Sequence, residues 1–183
     1  MYEVEVKARL QNREEVIKKL EALGCKWSEE LHQIDHVFIE DGLPFPPPLF
    51  SNVLRVRKQN DTYFFTLKIP QETRQDCIER EMEIKDGPMM MEILKLMKWQ
   101  EVPTVDKKRI KTNVGDIEVV LDVVEHLGNF IEAEKIVKSE DREDRVKVQD
   151  ELFKFLETFG VSKEDRVIDG KYDIMLYNKL NGK

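Results

Sequence analysis

Full charges recur at every second position at the start of the chain. Glu3, Glu5, Lys7 and Arg9 alternate there with apolar residues. Successive side chains of a β-strand point to opposite faces, so this spacing places the four charges on one face of a strand. Carboxylate oxygens bind hard divalent cations, whereas lysine and arginine bind phosphate oxygens. The stretch therefore indicates either the solvated face of an antiparallel strand or one wall of a site for metal and polyanion.

The same alternation returns along most of the chain. Acidic side chains fall on the polar faces of later predicted strands at Asp35, Glu79, Glu81, Glu83, Glu118, Asp122, Glu132 and Glu134. Basic side chains fall on these faces at Arg55, Arg57, Lys68, Lys85, Lys107, Arg109 and Lys111. A flat sheet with one solvated face would accept Ser, Thr and Gln at such positions as readily as full charges. The dominance of charge favours a sheet that closes into a barrel and turns these faces inward.

Charge inside a barrel is costly, by several kcal/mol per ion, unless partners neutralise it. A ligand with many negative charges, together with divalent cations, would supply both kinds of partner. Acidic clusters would then hold the metal, and basic clusters would hold the phosphates. In such a barrel the apolar strand residues face outward under helices, and we expect this of Val4, Val6, Leu54, Val56, Leu121 and Val123.

Periodicity predicts the elements that carry these faces. Strands are predicted at residues 1–10, 33–40, 53–59, 62–70, 77–85, 102–112, 117–124 and 129–137. Helices are predicted at residues 13–23, 88–99, 143–159, 163–167 and 171–180. We expect the second helix to bury a stripe formed by Met89, Ile93, Leu96 and Met97. Residues 41–51 contain four prolines, which favours a loop that could act as a lid.

Length and composition restrict the class of protein. The chain has 183 residues, of which 40% are hydrophobic and 37% charged, and this suits a single domain over residues 1–183. The net charge of −7 argues against a nucleic-acid-binding protein. No apolar run is long enough to predict a membrane span. Cys25 and Cys77 lie far apart and no signal-peptide pattern is present, so we expect a cytoplasmic protein with reduced thiols.

Other phosphate and metal motifs do not occur in the sequence. There is no G-x-x-x-x-G-K-[ST] loop that could cradle phosphates. His32 and His36 lie four residues apart on or near a predicted strand, and no H-E-x-x-H motif contains them, so a structural role is favoured. A polyphosphate-binding module without catalytic activity would need the basic residues but not so many acids.

The ordered set of charged motifs resembles a known superfamily. Glu3-x-Glu5-x-Lys7 resembles the ExExK signature of the CYTH, or triphosphate tunnel metalloenzyme, superfamily. Further matches follow in order at Gln33-x-Asp35, Leu54-Arg55-Val56-Arg57, Thr66-Leu67-Lys68, Glu81-x-Glu83 and Lys107-Lys108-Arg109. The block at residues 121–134 is most similar to the class IV adenylyl cyclase branch. Two positions depart from the pattern, because Val37 stands where a tyrosine is usual and Lys171 where a serine is usual.

The resemblance implies an α+β fold in which a closed or nearly closed, antiparallel, eight-stranded β-barrel forms a tunnel with helices packed outside. It also implies a reaction on a triphosphate that depends on Mg²⁺ or Mn²⁺. The implied metal ligands are Glu3, Glu5, Glu81, Glu83, Asp122, Glu132 and Glu134. The implied triphosphate-binding residues are Lys7, Arg55, Arg57, Lys68, Lys107 and Arg109. Glu3, Glu5 and Lys7 are the implied catalytic residues.

The resemblance further implies that the partner is a small-molecule triphosphate. Conversion of ATP to cyclic AMP and pyrophosphate is the favoured reaction, because the block at residues 121–134 resembles the cyclase branch. Hydrolysis of inorganic triphosphate, thiamine triphosphate or another organic triphosphate is the alternative. A non-catalytic polyphosphate-binding module is a third reading. The outer surface of a barrel could also pair two copies into a homodimer.

Overall fold

The fold was obtained as a computed structural model that describes residues 2–139, 141–168 and 171–182. The first strand was predicted to begin at Met1, which lies outside the described residues. Across the part of the chain that is described, no helix is both long and apolar enough to cross a membrane.

Strands and helices follow one another in an order close to that predicted. The first half of the chain contains β1 (Tyr2–Arg9), α1 (Arg13–Ala22), β2 (Leu31–Glu40), β3 (Val53–Gln59), β4 (Thr62–Pro70), β5 (Asp76–Ile84) and α2 (Gly87–Leu96). The second half contains β6 (Trp99–Glu101), β7 (Val105–Val114), β8 (Ile117–Val124), β9 (Gly128–Val137), α3 (Arg142–Glu157), a 3₁₀ turn (Lys163–Asp165), β10 (Arg166–Val167) and α4 (Tyr172–Leu180).

Eight of the strands close into an antiparallel barrel. Their order is β1-β5-β4-β3-β2-β7-β8-β9, and β9 pairs back onto β1. The short strand β6 pairs with the C-terminal end of β2, and β10 pairs with the C-terminal end of β1. In the β1–β9 pair, Glu5 lies opposite Glu134 and Lys7 lies opposite Glu132. The predicted α+β fold, an eight-stranded antiparallel barrel with helices, is confirmed.

The apolar face of β1 forms part of the main core, outside the barrel. Val4 and Val6 are fully buried, and they cluster with residues of α1 and α3 such as Leu20 and Leu156. Helix α3 lies across β1 and β9, which explains why the alternate residues of both strands are apolar. The outward face of β8 is covered less evenly, because Leu121 is fully buried whereas Val123 is 38% exposed. The prediction that Val123 is covered was therefore wrong.

Helix α2 packs with a different face from the one predicted. The expected stripe is exposed, with 51% exposure at Met89, 41% at Ile93, 76% at Leu96 and 63% at Met97. The helix instead packs on Phe38 and Val56 through Leu94, Met90 and Met91. Nearly every residue of α2 is apolar, so periodicity could not select the buried face, and contact with β3 and β4 decides it.

Helix α4 and the proline-rich loop meet beside the barrel interior. The ring of Tyr172, the first residue of α4, packs edge-on against Phe130 with 4.9 Å between ring centroids. Phe45 of the loop packs in the same way against Tyr177 of α4, also at 4.9 Å. The loop is held further by Arg74, which donates a hydrogen bond to the carbonyl oxygen of Pro47 at 2.7 Å. The Tyr172–Phe130 contact places the start of α4 against the inner wall of the barrel, and the Phe45–Tyr177 contact joins the loop to this helix.

Candidate active site

A cavity of about 190 Å³ occupies the barrel interior. Its acidic lining residues are Glu3, Glu5, Asp35, Glu79, Glu81, Glu132, Glu134 and Asp173. Its basic lining residues are Lys7, Arg55, Arg57, Lys68, Lys107, Arg109, Lys111 and Lys171. The rest of the lining is Val37, Val53, Val105 and Tyr172. The wall of the tunnel is thus dominated by full charges, in equal numbers of each sign.

Three carboxylates meet at one place on this wall. One oxygen from each of Glu3, Glu5 and Glu134 lies within 4.8 Å of the others. The strand pairing explains the meeting, because Glu5 and Glu134 face each other across β1 and β9 and Glu3 lies two residues along the same face. Several carboxylate oxygens at such separations are the donor set that Mg²⁺ and Mn²⁺ prefer. The residues present therefore fit the divalent cation that the sequence implied.

The pKa values in this cluster reflect crowding of negative charge. Burial, a hydrogen bond shared with Glu118 and the charge of Glu3 raise the pKa of Glu134 to about 9. Burial also raises the pKa of Glu3, although the charge of Lys68 opposes this. Carboxylates that repel one another in this way would gain free energy from a cation placed between them.

Two arginines of the wall are held by bidentate ion pairs. Arg57 donates to both carboxylate oxygens of Asp35, at 2.6 and 2.8 Å. Arg109 donates to both oxygens of Asp122, at 2.7 and 2.5 Å, and to Glu132 at 2.8 Å. Such forks fix the guanidinium groups in the orientation that would also suit phosphate oxygens.

Arg55 and two lysines complete the cationic wall. Arg55 lies between Glu79 and Glu81, at 3.1 and 2.9 Å. Lys68 contacts Glu79 at 2.5 Å. Burial raises the pKa of Glu79, but the charges of Lys68 and Arg55 lower it to about 2. This carboxylate therefore stays ionised. Lys7 contacts Glu132 at 2.9 Å.

Lys107 is paired less tightly than its neighbours. Its ammonium lies 3.6 Å from Asp35 and 3.8 Å from Asp122. Burial and the charge of Arg109 lower the pKa of Lys107 to about 7. A cation that is only partly satisfied by carboxylates would be stabilised by a phosphate in the cavity.

Most of the predicted site residues line the cavity. All six residues predicted to bind triphosphate line the cavity, and so do the predicted catalytic residues Glu3, Glu5 and Lys7. Among the predicted metal ligands, Glu81 and Glu132 line it while bound to Arg55 and Arg109.

Two predicted metal ligands lie away from the cavity lining. Asp122 is fully buried, accepts the fork of Arg109 and accepts a hydrogen bond from the Tyr172 hydroxyl at 2.9 Å. Glu83 lies on the exposed end of β5. Among the described residues, the carboxylates that converge are those of Glu3, Glu5 and Glu134.

Several residues line the cavity without having been selected as site residues. Asp35, Glu79 and Lys111 lie on the alternating strand faces, so the two-residue period already contained the signal for them. Lys171, Tyr172 and Asp173 come from the start of α4. The family pattern singled out Lys171 only as a departure from the usual serine. No local pattern indicated that these three residues enter the tunnel, because their position depends on how the last helix packs against the barrel.

Known proteins share this fold over nearly the whole chain. The CYTH domain model matches residues 1–170. A protein of Methanocaldococcus jannaschii named "Putative adenylate cyclase" is 32% identical over 174 residues, which cover 94% of this chain and 97% of that protein. A solved structure from Pyrococcus horikoshii OT3 is 28% identical, has a TM-score of 0.75, and is matched over 95% of this chain and 98% of its own.

A more distant solved structure comes from the plant Hippeastrum. It is 18% identical with a TM-score of 0.59, and the match covers 100% of this chain and 97% of that one. That plant protein is described as a "Putative adenylyl cyclase" with a dominant triphosphatase activity. At this identity the likeness shows the shared fold alone. The family model, by contrast, spans almost the whole chain, and the archaeal relative does so at 32% identity; the chain therefore belongs to the CYTH domain family.

Proposed function

We propose that this protein is a divalent-metal-dependent enzyme that acts on a nucleoside triphosphate, with conversion of ATP to cyclic AMP and pyrophosphate as its favoured reaction. The observation that supports this most directly is the meeting of Glu3, Glu5 and Glu134 in the same tunnel as the arginine and lysine wall. A triphosphate has enough negative charge to engage that wall, and a divalent cation would neutralise the three carboxylates.

Substrate binding would proceed by exchange of ion-pair partners. In the structure described above, Arg55, Arg57 and Arg109 are held by carboxylates. Phosphate oxygens would take over part of these contacts, and each charge-assisted hydrogen bond contributes about 1.5–3 kcal/mol. The tunnel wall is thus oriented before the substrate arrives, which reduces the cost of binding.

Glu3, Glu5 and Glu134 are the residues that would hold Mg²⁺ or Mn²⁺. The bound ion would supply positive charge where negative charge develops on the phosphoryl oxygens. Lys7 lies beside this cluster on β1 and contacts Glu132, so its ammonium is oriented towards the same part of the cavity. These residues would bind and orient the triphosphate.

Cyclisation requires the ribose 3′-hydroxyl to attack the α-phosphorus, so that the bond to the β-phosphate breaks, pyrophosphate leaves and the hydroxyl proton is lost. A nucleoside must then lie next to the phosphate-binding wall. A small apolar cavity of about 30 Å³ adjoins the tunnel there and is lined by Phe45 and Pro47 of the loop at residues 41–51. The name of the archaeal relative also supports this reaction.

Hydrolysis of a triphosphate is the second candidate. The main cavity is charged over most of its wall, and the apolar cavity beside it is small, which favours a substrate that is mostly phosphate. The fold carries a triphosphatase activity in the Hippeastrum protein. A module that only binds polyphosphate is less favoured, because it would not need the convergent carboxylates.

Product analysis distinguishes these candidates. The purified protein is incubated with ATP, inorganic triphosphate or thiamine triphosphate, each with Mg²⁺ or Mn²⁺, and Glu5→Gln measures the background. Cyclic AMP and pyrophosphate from ATP support the cyclase. Orthophosphate from inorganic or thiamine triphosphate, without cyclic nucleotide from ATP, supports the hydrolase. No product above the Glu5→Gln background with any substrate or metal would contradict both enzymatic candidates.

A further inference from the structure

Lys171 is a cation of the tunnel that the charged motifs of the strands do not include. It immediately precedes the first residue of α4, and its side chain lines both the main cavity and the small apolar cavity. The neighbouring Tyr172 anchors this part of the chain through its hydrogen bond to Asp122 at 2.9 Å. The position of Lys171 is therefore fixed by the docking of the helix on the barrel wall.

The other cations of the lining each have a carboxylate partner. The closest pairs are Lys7–Glu132 at 2.9 Å, Arg55–Glu81 at 2.9 Å, Arg57–Asp35 at 2.6 Å, Lys68–Glu79 at 2.5 Å, Lys107–Asp35 at 3.6 Å, Arg109–Asp122 at 2.5 Å and Lys111–Glu118 at 2.6 Å. Within the described residues, no carboxylate lies within 4.0 Å of the Lys171 ammonium. Among these described residues, the Lys171 ammonium donates to the Cys77 thiol, at 3.3 Å.

The ammonium of Lys171 nevertheless stays charged. Burial alone lowers its pKa, but Cys77, Glu5 and Glu79 together raise the pKa above the ordinary value. An ammonium group has three hydrogen-bond donors, and a thiol is a weak acceptor. Most of the hydrogen-bonding capacity of Lys171 is therefore not taken up by the described protein groups, in a cavity whose wall is suited to phosphate.

We infer that Lys171 is a further triphosphate-binding residue of this tunnel and that it donates to a phosphate oxygen beside the carboxylate cluster. The inference rests on the proposed function. A phosphate that binds Arg57 or Arg109 must displace a carboxylate, whereas one that binds Lys171 displaces only a thiol contact. Lys171 should thus contribute more net affinity than its single charge suggests. Serine is usual at this position in the family pattern, so Lys171 departs from that pattern.

Calorimetric titration with inorganic triphosphate tests the inference directly. The titration is made with Mg²⁺ and with EDTA, for the wild type, Lys171→Met, Lys171→Arg and Lys108→Met. Lys108 is an exposed residue of β7 that pairs with Glu30 at 3.4 Å, so its variant removes one positive charge outside the tunnel. We expect Lys171→Met to bind about 10–100-fold more weakly than the wild type. Lys108→Met should stay within about twofold, and Lys171→Arg should recover most of the lost affinity.

Salt dependence separates a direct contact from a long-range effect of charge. Raising the ionic strength to roughly 1 M shortens the Debye length to about 3 Å. A direct contact predicts that most of the affinity difference between wild type and Lys171→Met persists in high salt. Loss of the difference in high salt would overturn the inference.

The same titrations distinguish failure of this inference from failure of the proposed function. If the wild type binds triphosphate and a folded Lys171→Met variant binds it equally well, Lys171 is not a binding residue, while the proposed function stands. Thermal unfolding of each variant shows whether it is folded. If the wild type binds triphosphate neither with Mg²⁺ nor with EDTA, the proposed function and this inference both fail.

Discussion

The surroundings of Glu134 disfavour the ionised form of its carboxylate. Burial, the hydrogen bond shared with Glu118 and the charge of Glu3 raise its pKa to about 9. In the metal-free protein this side chain therefore keeps a proton at pH values where the unfolded chain has already lost it. A cation bound between Glu3, Glu5 and Glu134 would replace that proton, so metal binding and proton release should be coupled.

Replacing Glu134 with glutamine should stabilise the metal-free protein above neutral pH. The folded-state pKa is raised, so the stability present below pH 4.5 is lost as the pH rises towards 9. Glutamine does not titrate, so we expect Glu134→Gln to raise the free energy of unfolding by about 1–3 kcal/mol at pH 8. The difference should shrink towards pH 4. Urea denaturation in EDTA at several pH values measures it.

A matched variant on the surface controls for the loss of one carboxylate. Glu29 is exposed, and Glu29→Gln should leave the free energy of unfolding nearly unchanged. Glu134→Gln should also lose metal-dependent activity, because one of the three convergent oxygen donors is removed. A Glu134→Gln variant that is less stable than the wild type throughout this pH range would contradict the pKa assigned to Glu134.

The two arginines Arg109 and Arg55 should differ in their contribution to stability. Arg109→Ala leaves the fully buried Asp122 without its fork, which should lower the free energy of unfolding by about 3–5 kcal/mol. Arg55→Ala should cost less, because Glu79 keeps Lys68 as its partner and the side chain of Glu81 is 38% exposed. Urea denaturation at pH 7 measures both. The opposite order of the two costs would contradict the roles given to these pairs.

For single residues, the sequence predicted correctly most of the side chains that face the tunnel. It did not predict which of these side chains contact one another. The two-residue period identified Glu3, Glu5 and Glu134 as inward-facing, and all three line the cavity. The period could not show that Asp122 is enclosed by Arg109 and Tyr172, because that depends on contacts between distant elements. The partners of each side chain depend on strand register and on side-chain packing, and the local spacing of residues determines neither.

Strand β1 is the element on which the site depends. It pairs with β9 from Tyr2 to Arg9, and its N-terminal residues Glu3 and Val4 pair with β5. Strand β1 thus places Glu3 and Glu5 next to Glu134 of β9. The alternation of β1 predicted its two faces correctly, but the register that sets Glu5 opposite Glu134 could not be predicted, because it depends on closure of the whole sheet.

Helices were harder to orient than strands. For α2 the apolar residues surround most of the helix, so its buried face was predicted wrongly. For α4 the sequence predicted a helix, and the structure confirms one at Tyr172–Leu180. Its docking against the inner wall, which brings Lys171 into the tunnel, has no local signal because it depends on contacts with residues distant in the sequence, such as Asp122 and Cys77.

The proline-rich loop at residues 41–51 should act on the organic part of the substrate. Phe45 lines the apolar cavity beside the tunnel and packs on Tyr177. Phe45→Ala should raise the KM for ATP several-fold, because apolar contact with the nucleoside is lost. The KM for inorganic triphosphate should change little, since that substrate has no organic group. Steady-state kinetics with both substrates measure the ratio, and equal changes in both KM values would contradict a role as lid.

At the scale of the whole molecule, charge is distributed unevenly between the tunnel and the outer surface. The protein carries a net charge of −7, whereas acidic and basic side chains are equally numerous in the tunnel lining. The surplus of negative charge therefore lies outside the lining. The lining side chains carry no formal net charge, so a bound divalent cation would give the interior the positive charge that attracts a triphosphate. Closure of the barrel could be predicted from the sequence, because full charges dominate one face of most strands. A solvated face would have accepted uncharged polar residues as well.

A crystal structure with Mn²⁺ and a non-hydrolysable ATP analogue would test the proposed site most directly. Anomalous scattering locates the ion independently of the protein atoms. We predict Mn²⁺ coordinated by Glu3, Glu5 and Glu134, with the phosphate oxygens against Arg57 and Arg109 inside the barrel. A triphosphate bound on the outer surface, or one bound in the tunnel with Mn²⁺ away from these carboxylates, would contradict the proposed site.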